Sequence, residues 1–546
     1  MASIKKISEL TEITSANSND YLIINQDGNT RKIAVKNLNI NNGIISVNGS
    51  SEFIDVEEYG AVGDGITDDT VAFQRALDSG LNITATKGKT YLITNPISMH
   101  TDNQILDMKN AKIIMNHSTT VTSRNNDLIS LFTIDNNPNL GDMVLGTQYT
   151  VSSITLSDGY ITLSNVSNLS IGDFLRLNFN QGGSYQHDGT SFKPMLEVVA
   201  EITNIDGNNV YLDYHTPNGG WSLDTTTPSN KFTVVGCNKV KMVKNVVIRN
   251  VYIEDVTPYT EDLTKSMSGI TCRFADNVTV ENVRMNNLLL NAVTFVYAHN
   301  FTCNNLKVTN ARRGTGGKGY CLRMLACNKG KCDGIHGYLV RHVFDVSAGA
   351  FIEVRNATGY CPNDVAGAFS LHGKFEHDLY FYNLSGIDLK KENATMGFGS
   401  GAYFGNAVDN VFVYNSNVKT YIQNFSMYGR VYFENCDVCE YVALPRASYV
   451  NCNVYKSSMG YYCFNTTRGT DIKLYKKFVN CTINLPTKSN NYTYLQVVNC
   501  NITSLNVSST YALISNNTIT GLTINDSSKT ANSTSSALSI QGNLFI

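Results

Sequence analysis

The chain has 546 residues, a net charge of −2 and only 16% charged residues, so it carries no basic field to attract nucleic acid. No apolar run reaches the length of a membrane span, and Met1-Ala2-Ser3-Ile4-Lys5-Lys6-Ile7 has no apolar signal core. Its 41 Gly and 9 Pro, with abundant Asn, Ser and Thr, point to many turns between short strands.

Residues 1–45 read as a separate small module. Leu22-Ile23-Ile24 and Ile33-Ala34-Val35 flank Asn25-Gln26-Asp27-Gly28-Asn29, and Asp27-Gly28 signals a hairpin. Ser46 to Ser51 reads as linker. The span 46–140 is the entry to the main fold. Its phrase Tyr59-Gly60-Ala61-Val62-Gly63-Asp64-Gly65-Ile66-Thr67-Asp68-Asp69-Thr70 precedes Val71-Ala72-Phe73-Gln74-Arg75-Ala76-Leu77, whose apolar residues fall at helical spacing. Thr67 or Asp68 is the expected N-cap. A short amphipathic helix here caps an open end and protects its edge strands.

Between 141 and 235 the pattern changes to antiparallel strands. Leu169 to Leu177, Glu197 to Ile202 and Ile205 to Leu212, the last around Asp206-Gly207, predict an inserted β-subdomain. Its loop Gly182 to Asp188 and the lone Trp221 either touch a ligand or anchor the insert on its scaffold.

From 236 to 546 one phrase keeps returning: an apolar strand, Asn, often Cys, then another apolar strand. Tyr449-Val450-Asn451-Cys452-Asn453-Val454, Phe478-Val479-Asn480-Cys481-Thr482-Ile483 and Val497-Val498-Asn499-Cys500-Asn501-Ile502 are copies. The pivots Asn435, Asn451, Asn480, Asn499 and Asn516 lie 16, 29, 19 and 17 residues apart. Such a unit is too short for a helical hairpin and cannot bury its own apolar face, so copies must stack. Asn tolerates a left-handed backbone at the corner, and stacked Asn side chains pair along the axis. These features predict an all-β parallel β-helix of about ten rungs, roughly 50 Å long. The 13 Cys show no metal spacing. Cys436, Cys452, Cys481 and Cys500 each follow a pivot and should stack as small buried residues. Neither a metal nor a cofactor is expected.

Titratable groups concentrate in the middle rungs, where four of the nine His fall within 336–377. Strand parity sorts them. Val340, His342, Phe344 and Val346 share the inward face, and Arg341 and Asp345 point out. Glu353 and Arg355 point out next, then His372, then Asp378, Tyr380 and Tyr382. One outward strip then presents Arg341, Asp345, Glu353, Arg355, His372, Glu376 and Asp378. Arg341, Arg355 and Glu353, with Tyr380 and Tyr382, are the expected substrate-binding residues, since Arg holds carboxylate or phosphate and Tyr stacks on sugar rings. His372, Asp378, Glu376 and Asp345 are the expected catalytic groups. Either two carboxylates share glycoside hydrolysis, or His372 acts as base with Asp378 or Glu376 as its partner. The alternative is a ladder of paired surface charges without chemistry.

The phrase Tyr59 to Gly65 with Thr67-Asp68-Asp69-Thr70 and the following helix resembles the entry motif of the pectate-lyase-like superfamily. It is especially similar to bacteriophage tailspikes and related tail proteins. Ile7-Ser8-Glu9-Leu10 and Thr30 to Leu38 resemble the leader module of many phage tail proteins, and Arg341-His342 with His372-Gly373 is similar to a pattern in some teichoic-acid-directed tail proteins. The resemblance implies a right-handed β-helix and a homotrimer. It also implies attachment to phage tail or baseplate proteins through residues 1–45, assembly in the host cytoplasm and residence in the virion. The implied ligand is a bacterial capsular polysaccharide or teichoic acid, bound and depolymerised by hydrolysis rather than elimination. This fold also hosts silent receptor-binding or structural tail proteins and free carbohydrate-active enzymes, so those alternatives stay open.

Overall fold

The computed structural model describes residues 53–117, 130–137, 144–180, 185–187, 190–192, 197–216, 233–260, 266–312, 318–361, 367–371, 376–388, 393, 395–398, 409–422, 430–440, 444, 446–456, 474–485, 490–524 and 537–545. Of the first 52 residues it describes four backbone strands. Tyr21–Gln26 pairs with Asn29–Ala34 across Asp27-Gly28, as the turn signal requires. Leu38–Asn41 pairs with Ile44–Val47. Ser46 and Val47 are therefore strand, not linker, because the β-branched run at Ile44-Ile45 finds a partner.

From Phe53 onward the chain is a parallel β-helix. Sixteen strands pair in parallel, one on the next, from Phe53–Asp55 to Ala537–Gln541. At ~4.8 Å per step the rod is about 70 Å long. It is longer than the repeat phrase suggests because the earliest turns lack the Asn phrase altogether.

Between 268 and 371 each turn has three faces. Ser268–Arg273, Val293–Val296, Tyr320–Leu325, His342–Ser347 and Phe369–Leu371 stack as the first face. The strands that follow, such as Thr279–Asn286 and Ala350–Cys361, bend at left-handed Asn282 and Asn356 and so supply the second and third faces. Inward residues line up in register along the axis. Phe433, Tyr449 and Phe478 stack ring on ring at 5.2 and 5.0 Å, each nearly without exposure. Each such ring contributes about 1.5–3 kcal/mol of burial.

The pivots behave as their residue type requires. Asn435, Asn451, Asn480, Asn499 and Asn516 have φ between 53° and 57°. Asn451 donates to Asn435 (3.2 Å) and Asn480 to Asn451 (3.1 Å), so the amides form a ladder. Cys436, Cys452, Cys481 and Cys500 lie buried just inside it, and all 12 described cysteines are free thiols. Replacing Asn451 by Ala is expected to cost about 1–2 kcal/mol, since Ala resists the left-handed region and breaks the ladder on both sides. Asn451→Gly should cost less because it keeps the backbone geometry. Denaturant midpoints that rank Gly below Ala would overturn this account.

The entry motif is a knot of backbone-directed carboxylates. Asp69 accepts from the amides of Val62 (2.6 Å) and Gly63 (3.3 Å), and Asp64 accepts from Ile66 and Thr67. Gly63 has φ +69°, and a Cβ there would lie 2.7 Å from the Lys89 side chain. The helix spans Thr70–Asp78 with Asp69 as N-cap, one residue later than expected, because Asp68 instead turns its carboxylate onto the Thr70 amide (3.0 Å). Ala72, Phe73, Ala76 and Leu77 seal the core, Phe73 meeting Tyr91 edge-on at 5.2 Å.

The insert is a seven-stranded antiparallel sheet running from Gln148 to Val240, whose last strand passes the expected limit of 235. Its Phe174 and Val199, with Val240 and Met242, pack on Phe274, Tyr297, Ala326 and Ala348 of the rod. Those four rod residues all sit at the corner between the first and second faces. Trp221, the expected anchor, lies outside the described residues.

Candidate functional site

At that same corner the left-handed position nearest the second face is occupied, rung by rung, by Asn277, Asn300, Lys329, Phe351, Asp378 and Asn410. Asn is the residue this geometry favours, and the amide of Asn277 donates to Asn245 at 2.7 Å. Three consecutive rungs abandon it. Lys329, Phe351 and Asp378 hold φ of 59°, 54° and 51°, at a cost of about 1–3 kcal/mol each. The adjoining left-handed position of the same corner also departs from Asn, with Phe274, Tyr297, Ala326 and Ala348 at φ between 48° and 54°, so both departures fall where the insert is seated.

Each of the three has a defined environment. Lys329 forms an ion pair with Asp213 of the insert (2.6 Å). Phe351 lies edge-on to Tyr214 and to His377, with interplanar angles of 86° and 89°. Asp378 has a carboxylate braced from two sides: His377 Nδ1 donates to Oδ2 (2.8 Å) and Asn410 Nδ2 donates to Oδ1 (3.1 Å). Burial holds the His377 pKa below its usual value, the Asp378 carboxylate offsetting only part of the shift. His377 Nε2 meets the hydroxyl of Tyr214 at 2.9 Å. One rung further, Arg430 clasps Asp409 through two bonds of 2.9 and 2.8 Å. Burial tends to raise the Asp409 pKa, but Arg430 outweighs it and holds the carboxyl low.

Three rungs below His377, His299 occupies the same column. Its Nδ1 faces Asp276 (2.7 Å) and its Nε2 faces Asp213 (2.5 Å). Burial alone would lower its pKa, yet the two carboxylates raise it to about 9. Glu201, Asp213 and His299 have ligand atoms within 4.8 Å of one another, as a metal site would. The imidazolium and the Lys329 ammonium bring two positive charges to that spot, so the group is a staple between insert and rod.

The second face continues outward from Asp378. Register places Glu353 beside Tyr380 and Arg355 beside Tyr382. Arg355 bonds Glu353 at 2.6 Å and lies 4.0 Å over the Tyr382 ring. Tyr380 stacks on Phe412 (5.0 Å), Phe412 on Tyr432 (4.8 Å) and Tyr382 on Tyr414 (4.8 Å), all within 12° of parallel. Tyr380 and Tyr382 therefore spend ring faces on their neighbours. They present edges and hydroxyls outward instead of the stacking platform that the sequence suggests.

The predicted strip is accordingly divided. Glu353, Arg355, Asp378, Tyr380 and Tyr382 do come together. Asp345 is fully buried on the first face, 3.9 Å from Arg323, and Arg341 is half-buried there over Tyr320. Every residue of Tyr320–Leu325 and His342–Ser347 is buried, so on this face strand parity no longer separates core from solvent. Glu376 is also fully buried, accepting from the Ala348 amide (3.1 Å), because it lies inside the corner rather than on a strand. Asp378 too is far less exposed than parity suggests, at 9%. His342 is buried, as its parity requires, and bonds the Gly367 carbonyl. His372 lies outside the described residues. The sequence reading missed Tyr214, His377, Asp409, Arg430 and Lys329. A signal for them existed: the Asn that opens the second-face strands on either side, as in Asn277-Val278, Asn300-Phe301 and Asn410-Val411, is replaced in Lys329-Gly330, Phe351-Ile352 and Asp378-Leu379.

No protein-family model matches the chain, and no curated protein matches it. Among solved structures it is similar to the tailspike protein gp49 from Pseudomonas phage LKA1, at 16% identity and a TM-score of 0.50, covering 90% of this chain and 81% of that one. It is also similar to the Gp54 tailspike of Acinetobacter baumannii bacteriophage AP22, solved in complex with A. baumannii capsular saccharide. There the identity is 11% and the TM-score 0.51, over 88% of this chain and 78% of that one. By fold, the chain is a tailspike-like parallel β-helix.

Proposed function

We propose that this protein is a virion tailspike that binds a bacterial surface polymer, capsular polysaccharide or teichoic acid, along its second face and hydrolyses it at Asp378. The observation that carries this reading is Asp378 itself, a left-handed carboxylate in a column where Asn277, Asn300 and Asn410 use Asn, braced by His377 and Asn410. The Asp378 carboxylate then takes a proton from the attacking water, whose oxygen bonds the anomeric carbon or phosphorus as the linking bond breaks, and the proton passes to the leaving oxygen. Arg355 and Arg430, each paired with a carboxylate yet 44% and 40% exposed in their side chains, offer cationic points to an acidic polymer. Hydrolysis is favoured over elimination because the corner histidine stands buried behind the carboxylate instead of facing outward. The test is incubation with purified capsule and wall polymer of a host strain, followed by size-exclusion analysis. Shortened polymer is the expected result.

A silent receptor-binding protein of the same fold is the second reading. The burial of Asp345 and Glu376 favours it, since two expected carboxylates are then out of a polymer's reach. Polymer that is bound but keeps its length would establish it.

The same proposal makes the working assembly a homotrimer attached to the phage tail through residues 1–45 and made in the host cytoplasm. The segment from Asn484 to Ile546 contains only Lys488, Asp526 and Lys529 as charged residues, few for a freely solvated surface. Leu544 and Phe545 there are 60% and 62% exposed in the single chain, a surface suited to cover by further copies. Buried free thiols throughout the rod suit a reducing site of synthesis. A chain starting at residue 46 is expected to sediment at three times its own mass and to stay off virions. Sedimentation as a monomer would count against the trimer, and incorporation into virions would count against the leader's role.

A further inference from the structure

We infer that the inserted domain completes the site: Tyr214, acting through His377, positions the carboxylate of Asp378. This rests on the reading of Asp378 as the reactive group. The chain of contacts is short and directed, with Tyr214 Oη to His377 Nε2 at 2.9 Å, His377 Nδ1 to Asp378 Oδ2 at 2.8 Å, and Asn410 closing the other carboxylate oxygen at 3.1 Å. An ionised carboxylate only accepts, so Nδ1 must carry the proton toward Asp378. A neutral imidazole then offers Nε2 as an acceptor, and the Tyr214 hydroxyl is its donor. Burial favours that neutral form, since the His377 ring is fully buried.

Tyr214 comes from the insert, 163 residues away in sequence from His377. Its neighbour Asp213 is held by His299 and Lys329 of the rod, at 2.5 and 2.6 Å. The hydroxyl is thus delivered by a segment clamped at the adjacent residue. Phe351 gains a reason for its costly backbone. Its ring forms the wall against which Tyr214 and His377 are both set edge-on, with centroids at 6.2 and 5.5 Å. His215 closes the same wall at 4.7 Å from Phe351. A seated insert therefore fixes the imidazole plane, and the imidazole fixes the carboxylate plane. This outer support is the kind whose loss lowers rate without removing the reacting group.

Tyr214→Phe tests the inference, because it keeps the ring and its packing and deletes only the O–H. The assay is cleavage of purified host capsule or wall polymer by the full-length protein, with amide exchange of residues 197–212 followed in parallel. Expected is a fall in kcat of about tenfold with KM changed less than about twofold, while exchange in the insert stays as in the wild type. Slow cleavage accompanied by lost protection of 197–212 would mean a merely structural Tyr214 and overturn the inference. Asp378→Asn separates the two levels. Should Asp378→Asn be slow and Tyr214→Phe unimpaired, the positioning role falls alone. Wild-type cleavage by Asp378→Asn, or no cleavage by the native protein, removes the reading of Asp378 and the positioning role with it.

Discussion

Asp378→Asn should lower polymer cleavage by about 10²–10⁴-fold while leaving the melting temperature unchanged or slightly higher. The two halves of that expectation have one cause. Asn is the residue that Asn277, Asn300 and Asn410 supply at this left-handed corner, and Asp378 stands at φ 51° with Asn410 already donating to it. The substitution therefore relieves backbone cost and keeps the Asn410 bond, and its amide nitrogen can donate to His377 Nδ1 once the imidazole proton moves to Nε2, where the Tyr214 hydroxyl accepts it. It also removes the negative charge and with it the ability to take a proton or attack a bond. A residue retained only for structure would show the opposite pattern, with lower stability and unchanged chemistry. The measurement is calorimetric melting beside size-exclusion analysis of the digested polymer. Wild-type shortening by the variant would sink the assignment. Phe351→Asn serves as the control in the same corner: it too should relieve backbone cost, but it removes the wall against His377 without touching the carboxylate.

Much of the architecture was legible because it repeats. A left-handed Asn, an inward aromatic or aliphatic residue and a buried Cys recur at fixed offsets, and each offset has a single physical use. The site was only partly legible, for two reasons visible in particular residues. Parity separates in from out only where one face of a strand meets water. Asp345 lies on a face that is buried on both sides, so its outward parity does not make it accessible. Corner residues obey no parity at all, which misplaced Glu376 and gave Asp378 too much exposure. The other half of the site depends on long-range contacts that no local pattern encodes. Tyr214 and Asp213 belong to an insert whose seating on His377 and His299 appears only once the chain is folded. What the sequence did contain, unread, was the interruption of its own rule. Three second-face strands that open with Lys329, Phe351 and Asp378 in place of Asn mark the corner where the insert meets the rod.

The seam between insert and rod should be most stable near pH ~6.5 and weaken on both sides, for opposite reasons in two histidines of one column. His299 lies between Asp276 and Asp213, with Lys329 and Glu201 nearby, and its pKa is raised to about 9 from an ordinary 6.5. A raised pKa means that the folded state holds the proton more tightly than the unfolded chain. The stabilisation is then fully present below about pH 6.5 and lost as pH rises through 9, about 3 kcal/mol in all. His377 faces Asp378, Tyr214, His215 and Asp409, and burial pushes its pKa down. Its neutral form is the folded one, so its contribution is present above about pH 6.5 and lost as pH falls below that value. Amide exchange of residues 197–212 across pH, corrected for intrinsic rates, reads the seam directly. Protection should fall steeply between about pH 7.5 and 10 in the wild type, and His299→Gln should start lower and stay flat over that interval. A steep alkaline loss that survives in His299→Gln would place the titrating group elsewhere. The coupling has a mechanical consequence if Tyr214 positions Asp378. Alkaline loss of the His299 half of the Asp213 clamp, with Lys329 left alone to hold it, should then slow cleavage before the rod itself melts, and the two transitions should separate in the wild type.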